Sequence, residues 1–217
     1  MKNNTFTFEK HFPLVAIMRG IKTNDVVRIT KILIEEGFTM IEVPLNSPNA
    51  LISIKTLVEH FGNDYLIGAG TVTSPEQAIK VIATGANLIV TPNFNEQVVK
   101  LATKAGCISF SGVITPTESF SALAAGATGL KIFPVSMLGI EGFKALTSVL
   151  PKETICLPVG GINPTIDSMK PYMDIGAKGF GLGSSLYTPQ FSDDEIRHNA
   201  KAFVTTIEKI RCNDFSI

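Results

Sequence analysis

The sequence predicts a closed parallel α/β barrel, a (β/α)8 TIM barrel with a short N-terminal helix, and three observations predict it. One phrase recurs along the 217 residues: an amphipathic stretch, a glycine, one to three further residues, then a short apolar burst. The bursts number about eight, at a spacing of about 20 to 26 residues, which suits a closed barrel better than a doubly wound sheet. They are runs of apolar residues rather than strict alternations, as expected of parallel strands buried on both faces.

The phrase is plainest in "EEGFTMIEV", "ATGANLIVTP", "KAGCISFSGV", "AAGATGLKIFP" and "DIGAKGFGLG". Glycine just past a helical pattern takes the left-handed conformation that stops a helix without Cβ strain, and the burst after it reads as a buried strand. In chain order, residues 3–11 read as the short leading helix. Strands follow near Leu14–Arg19, Met40–Leu45, Leu66–Thr71, Asn87–Thr91, Ile108–Val113, Gly129–Phe133, Thr154–Val159 and Gly179–Leu182. Between them lie helical patterns with start signals: Asn24 before "DVVRITKILIEEG", then "SPEQAIKVIATG", "TPTESFSALAAG" and "NPTIDSMKPYMDIG". Pro75 and Pro116 each follow a Ser or Thr cap, where a missing N–H costs nothing. Ser192 to about Arg211 reads as the closing helix. No Pro/Ser-rich or low-complexity stretch divides the chain, so residues 1–217 are expected to form one domain.

Composition narrows the function. Hydrophobic residues make up 45% and charged residues 18%, and 19 basic side chains balance 19 acidic ones. That balance leaves no field to gather nucleic acid or an anionic membrane, so neither is an expected partner. Cys107, Cys156 and Cys212 are widely spaced, with no CxxC pair and no histidine cluster, and read as reduced thiols; no metal and no cofactor is expected. "MKNNTFTFEKHF" lacks the apolar core of a secretory signal, and no run approaches the ~18 apolar residues of a membrane span. The expected compartment is the cytoplasm.

Chemistry in such a barrel gathers at the C-terminal ends of the strands. Arg19, Glu42, Thr71 and Lys131 stand at or near those ends, as do the turns "VGGIN" and "GLGSS" after the last two strands. Glycine lets backbone N–H groups approach a ligand, and these two loops commonly make a phosphate site, which nominates Gly160, Gly161, Gly183 and Ser184. The plain alternative is two tight turns. Lys131 sits in the apolar run "GLKIFPV", where an ammonium has to be neutralised, paired or used chemically. Burial disfavours the charged form, and an amine with a pKa tuned to ~7–8 attacks carbonyl carbons at neutral pH. Glu42, in "MIEVPL", would meet Lys131 across the interior if both point inward. Such a pair is either a structural ion pair or a Schiff-base site with its proton shuttle. Arg19 could hold a carboxylate in two-pronged fashion, or merely cap a strand at the rim.

The phrases "VAIMRGI", "IEVPLNSP", "LIGAGTV", "IVTPN", "TPTE", "GLKIFP", "PVGGIN" and "GLGSSLY" occur in order between Leu14 and Tyr187. Together they resemble the 2-keto-3-deoxy-6-phosphogluconate/6-phosphogalactonate aldolase family, metal-independent class I lyases. The resemblance implies Lys131 as the Schiff-base lysine, Glu42 as the proton shuttle and Arg19 as a holder of substrate oxygens. It implies Thr71, Pro92 and Phe133 around pyruvate and Gly161, Gly183 and Ser184 around phosphate. It also implies a phosphorylated keto sugar acid as substrate and a homotrimer. Asn46 stands where the phosphogluconate enzymes carry arginine, and Val159 where they carry threonine, so both resemble the phosphogalactonate branch. Ser111, before Gly112, departs from the family's usual proline and leaves the shape of that wall open. Other readings remain at this point: an aldolase of the same family acting on the phosphogluconate epimer or on 4-hydroxy-2-oxoglutarate, a phosphate-binding barrel isomerase or decarboxylase using lysine and carboxylate without a covalent bond, and a non-catalytic sugar-phosphate sensor.

Overall fold

The computed structural model describes residues 6–214, with side chains as far as Cys212. Eight strands alternate with eight helices: β1 Leu14–Ile17, α1 Val26–Glu35, β2 Met40–Pro44, α2 Ala50–Phe61, β3 Leu66–Gly70, α3 Pro75–Ile82, β4 Leu88–Val90, α4 Glu96–Lys104, β5 Ile108–Val113, α5 Pro116–Ala124, β6 Gly129–Ile132, α6 Val135–Val149, β7 Cys156–Pro158, α7 Ile166–Asp174, β8 Phe180–Leu182 and α8 Asp193–Asp214. Each strand pairs in parallel with its sequence neighbours, and β1 pairs with β8. A single parallel bridge between Val159 and Gly181 joins β7 to β8 and completes the (β/α)8 barrel.

The helix starts follow local chemistry. Ser74 accepts a hydrogen bond from the Gln77 amide at the head of α3. Thr115 and Glu118 form a reciprocal capping box at the head of α5. Each cap satisfies amides that a helix cannot pair internally. The cap of α1 is Asp25 rather than the neighbouring Asn24, and it makes no side-chain cap bond. Gly139 breaks the regularity of α6 with φ 69° and ψ 178°, a conformation open to glycine.

Every strand residue is buried, but the pleat sorts side chains into two cores. On β2, Ile41 and Val43 face the helices and Met40 faces the barrel interior; on β6, Leu130 and Ile132 face the helices. The alternation therefore turns Glu42 and Lys131 inward. The interior is filled by Val15, Met40, Leu66, Leu88, Val90, Ile108, Phe110 and Leu157.

Phe6 and Phe8 plug the N-terminal end of this interior, and the Phe6 ring meets Phe110 edge-on at 5.7 Å. Here the expected leading helix fails. Residues 6–11 form a turn in which the Thr7 carbonyl accepts from the Lys10 and His11 amides, and residues 3–5 lie outside the described residues. The rings of Phe6 and Phe8 pack together at 5.0 Å and both enter the barrel base, whereas a helix would send residues two apart to different faces.

Candidate active site

At the C-terminal mouth the ends of β1, β6, β7 and β8 enclose a cavity of about 840 Å³. Of the residues nominated from sequence, Arg19, Lys131, Phe133, Val159, Gly160, Gly161, Gly183 and Ser184 line it. Two smaller cavities, of about 560 and 530 Å³, involve Phe6, Lys10 and His11 in one case and Lys144, Lys152 and Lys178 in the other. Neither contains a nominated residue.

Lys131 is 5% exposed, and its Nζ lies 4.8 Å from the centroid of the Phe133 ring. Burial pushes its amine below the ordinary lysine range; Glu42 opposes that shift and Arg19 adds to it. Glu42 is 1% exposed, and burial pushes its carboxyl up to about 7 against the pull of Lys131, Arg19 and the Gly70 amide. The environment thus drives both groups toward their uncharged forms. Among the described residues no ion pair joins them, and Glu42 Oε2 is buried without a hydrogen-bond partner. A structural ion pair would have closed that gap. The arrangement instead leaves a buried acid and a buried amine turned toward one interior and interacting electrostatically, with Lys131 lining the cavity and Glu42 outside its lining.

The other nominated residues stand outside the cavity lining. Asn46 reaches the site through Arg19, whose Nη1 donates to Asn46 Oδ1 at 2.8 Å. Thr71 follows β3 directly and takes the left-handed region at φ 58°, a strained place for a β-branched residue. Pro92 borders β5, where its backbone occupies the space a side chain at residue 112 would need; hence Gly112. Ser111 has pleat neighbour Phe110 inside the barrel, so its hydroxyl faces the helix layer, where it is buried and unpartnered. It does not form part of the cavity wall.

Among the described residues, the glycine turns leave backbone amides without internal partners at the cavity. Gly160 and Gly161 adopt φ 98° and 84°, and a β-carbon on Gly161 would press on Ser136 at 3.3 Å. Among the described residues, the Gly161 and Ser184 amides donate to no other group. Ser185 braces the turn by donating its hydroxyl to the Ile162 carbonyl at 2.7 Å. Sequence reasoning missed the far wall, Thr188, Pro189 and Gln190, which follows β8. Its one signal was Gly20, whose φ of 80° and missing side chain let Pro189 pack against the β1 loop.

A (β/α)8 barrel with a buried amine and a buried acid turned inward and free turn amides at its mouth has the parts of a barrel lyase, and its relatives place it among the aldolases. The chain belongs to the KDPG and KHG aldolase family, whose model matches residues 7–201. It is 42% identical over 198 residues to a probable 2-dehydro-3-deoxy-6-phosphogalactonate aldolase of Rhizobium meliloti, covering 91% of this chain and 92% of that one. It is 41% identical over 197 residues to the 2-dehydro-3-deoxy-6-phosphogalactonate aldolase of Escherichia coli, covering 91% and 95%. A solved structure described as native KDPGal superposes with a TM-score of 0.90 at 40% identity, covering 93% of this chain and 97% of that one.

Proposed function

We propose that this aldolase works through a Schiff base on Lys131 and cleaves 2-dehydro-3-deoxy-6-phosphogalactonate to pyruvate and D-glyceraldehyde 3-phosphate. The observation that carries the mechanism is the inward-facing, unpaired couple of Lys131 and Glu42. The neutral amine attacks the C2 ketone, giving a carbinolamine. Glu42, protonated near neutral pH, gives its proton to the departing hydroxyl, so water leaves and the iminium forms. The resulting carboxylate takes the proton of the C4 hydroxyl, the C3–C4 bond breaks, and its electrons enter the iminium as an enamine. Glyceraldehyde 3-phosphate departs. Glu42 returns the proton to C3, and water hydrolyses the imine to pyruvate and the free amine.

Arg19 holds substrate oxygens at the rim, Phe133 with Thr71 and Pro92 borders the pyruvate end, and the turns at Gly160, Gly161, Gly183 and Ser184 receive the phosphate. Asn46 and Val159, together with the relatives named for phosphogalactonate, favour the galactonate epimer over the gluconate one. Reduction with borohydride in the presence of pyruvate, followed by peptide mapping, tests the mechanism. The label belongs on Lys131, and a label elsewhere defeats the assignment. Cleavage rates on the two epimers side by side test the substrate, and a strong gluconate preference would reverse it.

We assign a homotrimer in the cytoplasm. Ile52, Ile79, Phe120 and Met137 expose apolar surface on the outer helices that subunit contacts would cover. Sedimentation equilibrium showing a monomer would remove that assignment.

A further inference from the structure

We propose that Asn46 is a positioning residue that acts through Arg19, aiming its guanidinium over the cavity, and does not itself bind substrate. The inference rests on the aldolase reading above.

Arg19 follows β1 and Asn46 follows β2, and the two strands are paired through Ile17 and Glu42. Two side-chain hydrogen bonds join the loops. Arg19 Nη1 donates to Asn46 Oδ1 at 2.8 Å, and the Gly20 amide donates to Ser47 Oγ at 2.9 Å. Ser47 is buried, and its amide is held by the Pro44 carbonyl at 2.9 Å. The acceptor on residue 46 is therefore presented from a loop tied down on both sides. Arg19, by contrast, is exposed, and among the described residues it has no carboxylate partner. A long side chain with one tether depends on that tether for its direction, because its rotamers are otherwise nearly free.

Arg19 lines the cavity, and Asn46 does not. The cation also bears on both reacting groups, since its charge lowers the pKa of Glu42 and of Lys131. Aim at Arg19 thus sets where substrate oxygens are held and how the acid and amine are poised. An arginine at residue 46 has no acceptor to offer and would set a second cation against the first, so residue 46 can separate substrates without touching them.

A double-mutant cycle distinguishes this from direct contact. Cleavage of the phosphorylated keto-deoxy sugar acid would be measured for Asn46→Ala, Arg19→Ala and the double variant, with Asn46→Asp as the variant that keeps an acceptor. The expected loss in kcat/KM is roughly tenfold for Asn46→Ala in the intact enzyme and none in the Arg19→Ala background, since residues in one network are not additive. Asn46→Asp should retain near-full activity, and the alkaline limb of the pH profile of Asn46→Ala should move upward as Glu42 loses the cation's pull. An equal loss in both backgrounds would overturn the proposal in favour of direct contact, and wild-type activity of Asn46→Ala would remove the role altogether. Borohydride trapping of pyruvate should persist in every variant. Its absence in the wild-type enzyme would instead sink the Schiff-base reading, so the two failures are separable.

Discussion

The carboxyl group of Glu42 occupies the space where residue 70 would carry its side chain: a β-carbon on Gly70 would overlap both carboxyl oxygens. Gly70 is the last residue of β3 and pairs with Pro44 of β2, so the glycine floor and the acid above it belong to neighbouring strands. Gly70→Ala is expected to displace the acid and lower kcat by about 10²–10⁴, the usual worth of a positioned acid–base group. Far-ultraviolet circular dichroism checks that the barrel persists, and a variant with wild-type kcat would show that Glu42 needs no such seat.

The pH dependence follows from the same burial. With Glu42 pushed up to about 7 and needed in its protonated form, kcat/KM for cleavage should decline as pH rises through about 7, an alkaline limb far above the ordinary carboxylate range. Glu42→Gln should remove that limb along with most of the activity. A limb that stays near pH 4.5 would place the acid in a far wetter setting than the one described here.

Stability should improve when function is removed. Glu42, raised in the folded state, contributes stability that is present below its unfolded pKa of 4.5 and is lost as pH rises through about 7. Lys131, lowered in the folded state, contributes stability that is present above 10.5 and is lost as pH falls through its folded value. Near neutrality both therefore cost stability, and Glu42→Gln/Lys131→Met is expected to gain about 1–4 kcal/mol. Urea denaturation at pH 7 measures it, and a loss of stability would contradict the assignment of an unpaired couple.

Ser111→Ala tests the odd residue of β5. Its buried hydroxyl lacks a partner and faces the helices. Removing it should leave cleavage rates unchanged and raise stability by about 1 kcal/mol, since an unsatisfied buried hydroxyl carries a desolvation cost. Thermal melts and kinetics on one preparation suffice.

Much of this architecture could be read in the sequence because its signals are local. A glycine stop, a cap and an apolar burst each lie within a few residues, so the eight strands were placed to within about two residues at either end. Lys131 and Glu42 were legible because a charge in a buried strand has few excuses. The leading helix failed for the opposite reason: Phe6 and Phe8 are shaped by Phe110, about a hundred residues away, and periodicity carries no word of it. Likewise the bond from Arg19 to Asn46 joins two loops that only strand pairing brings together, and the wall at Thr188–Gln190 has no charge or glycine of its own to announce it.

Val159 both fastens β7 to β8 and faces the cavity, with its Cγ2 only 2.7 Å from where a β-carbon on Gly181 would lie. The last stave of the cylinder is thus also a panel of the reaction chamber. Threonine shares valine's branched outline, so an exchange there can wet the panel without prising the staves apart, whereas anything bulkier must part them. The lining of the cavity can therefore change polarity at this joint by a single methyl while the vessel stays shut.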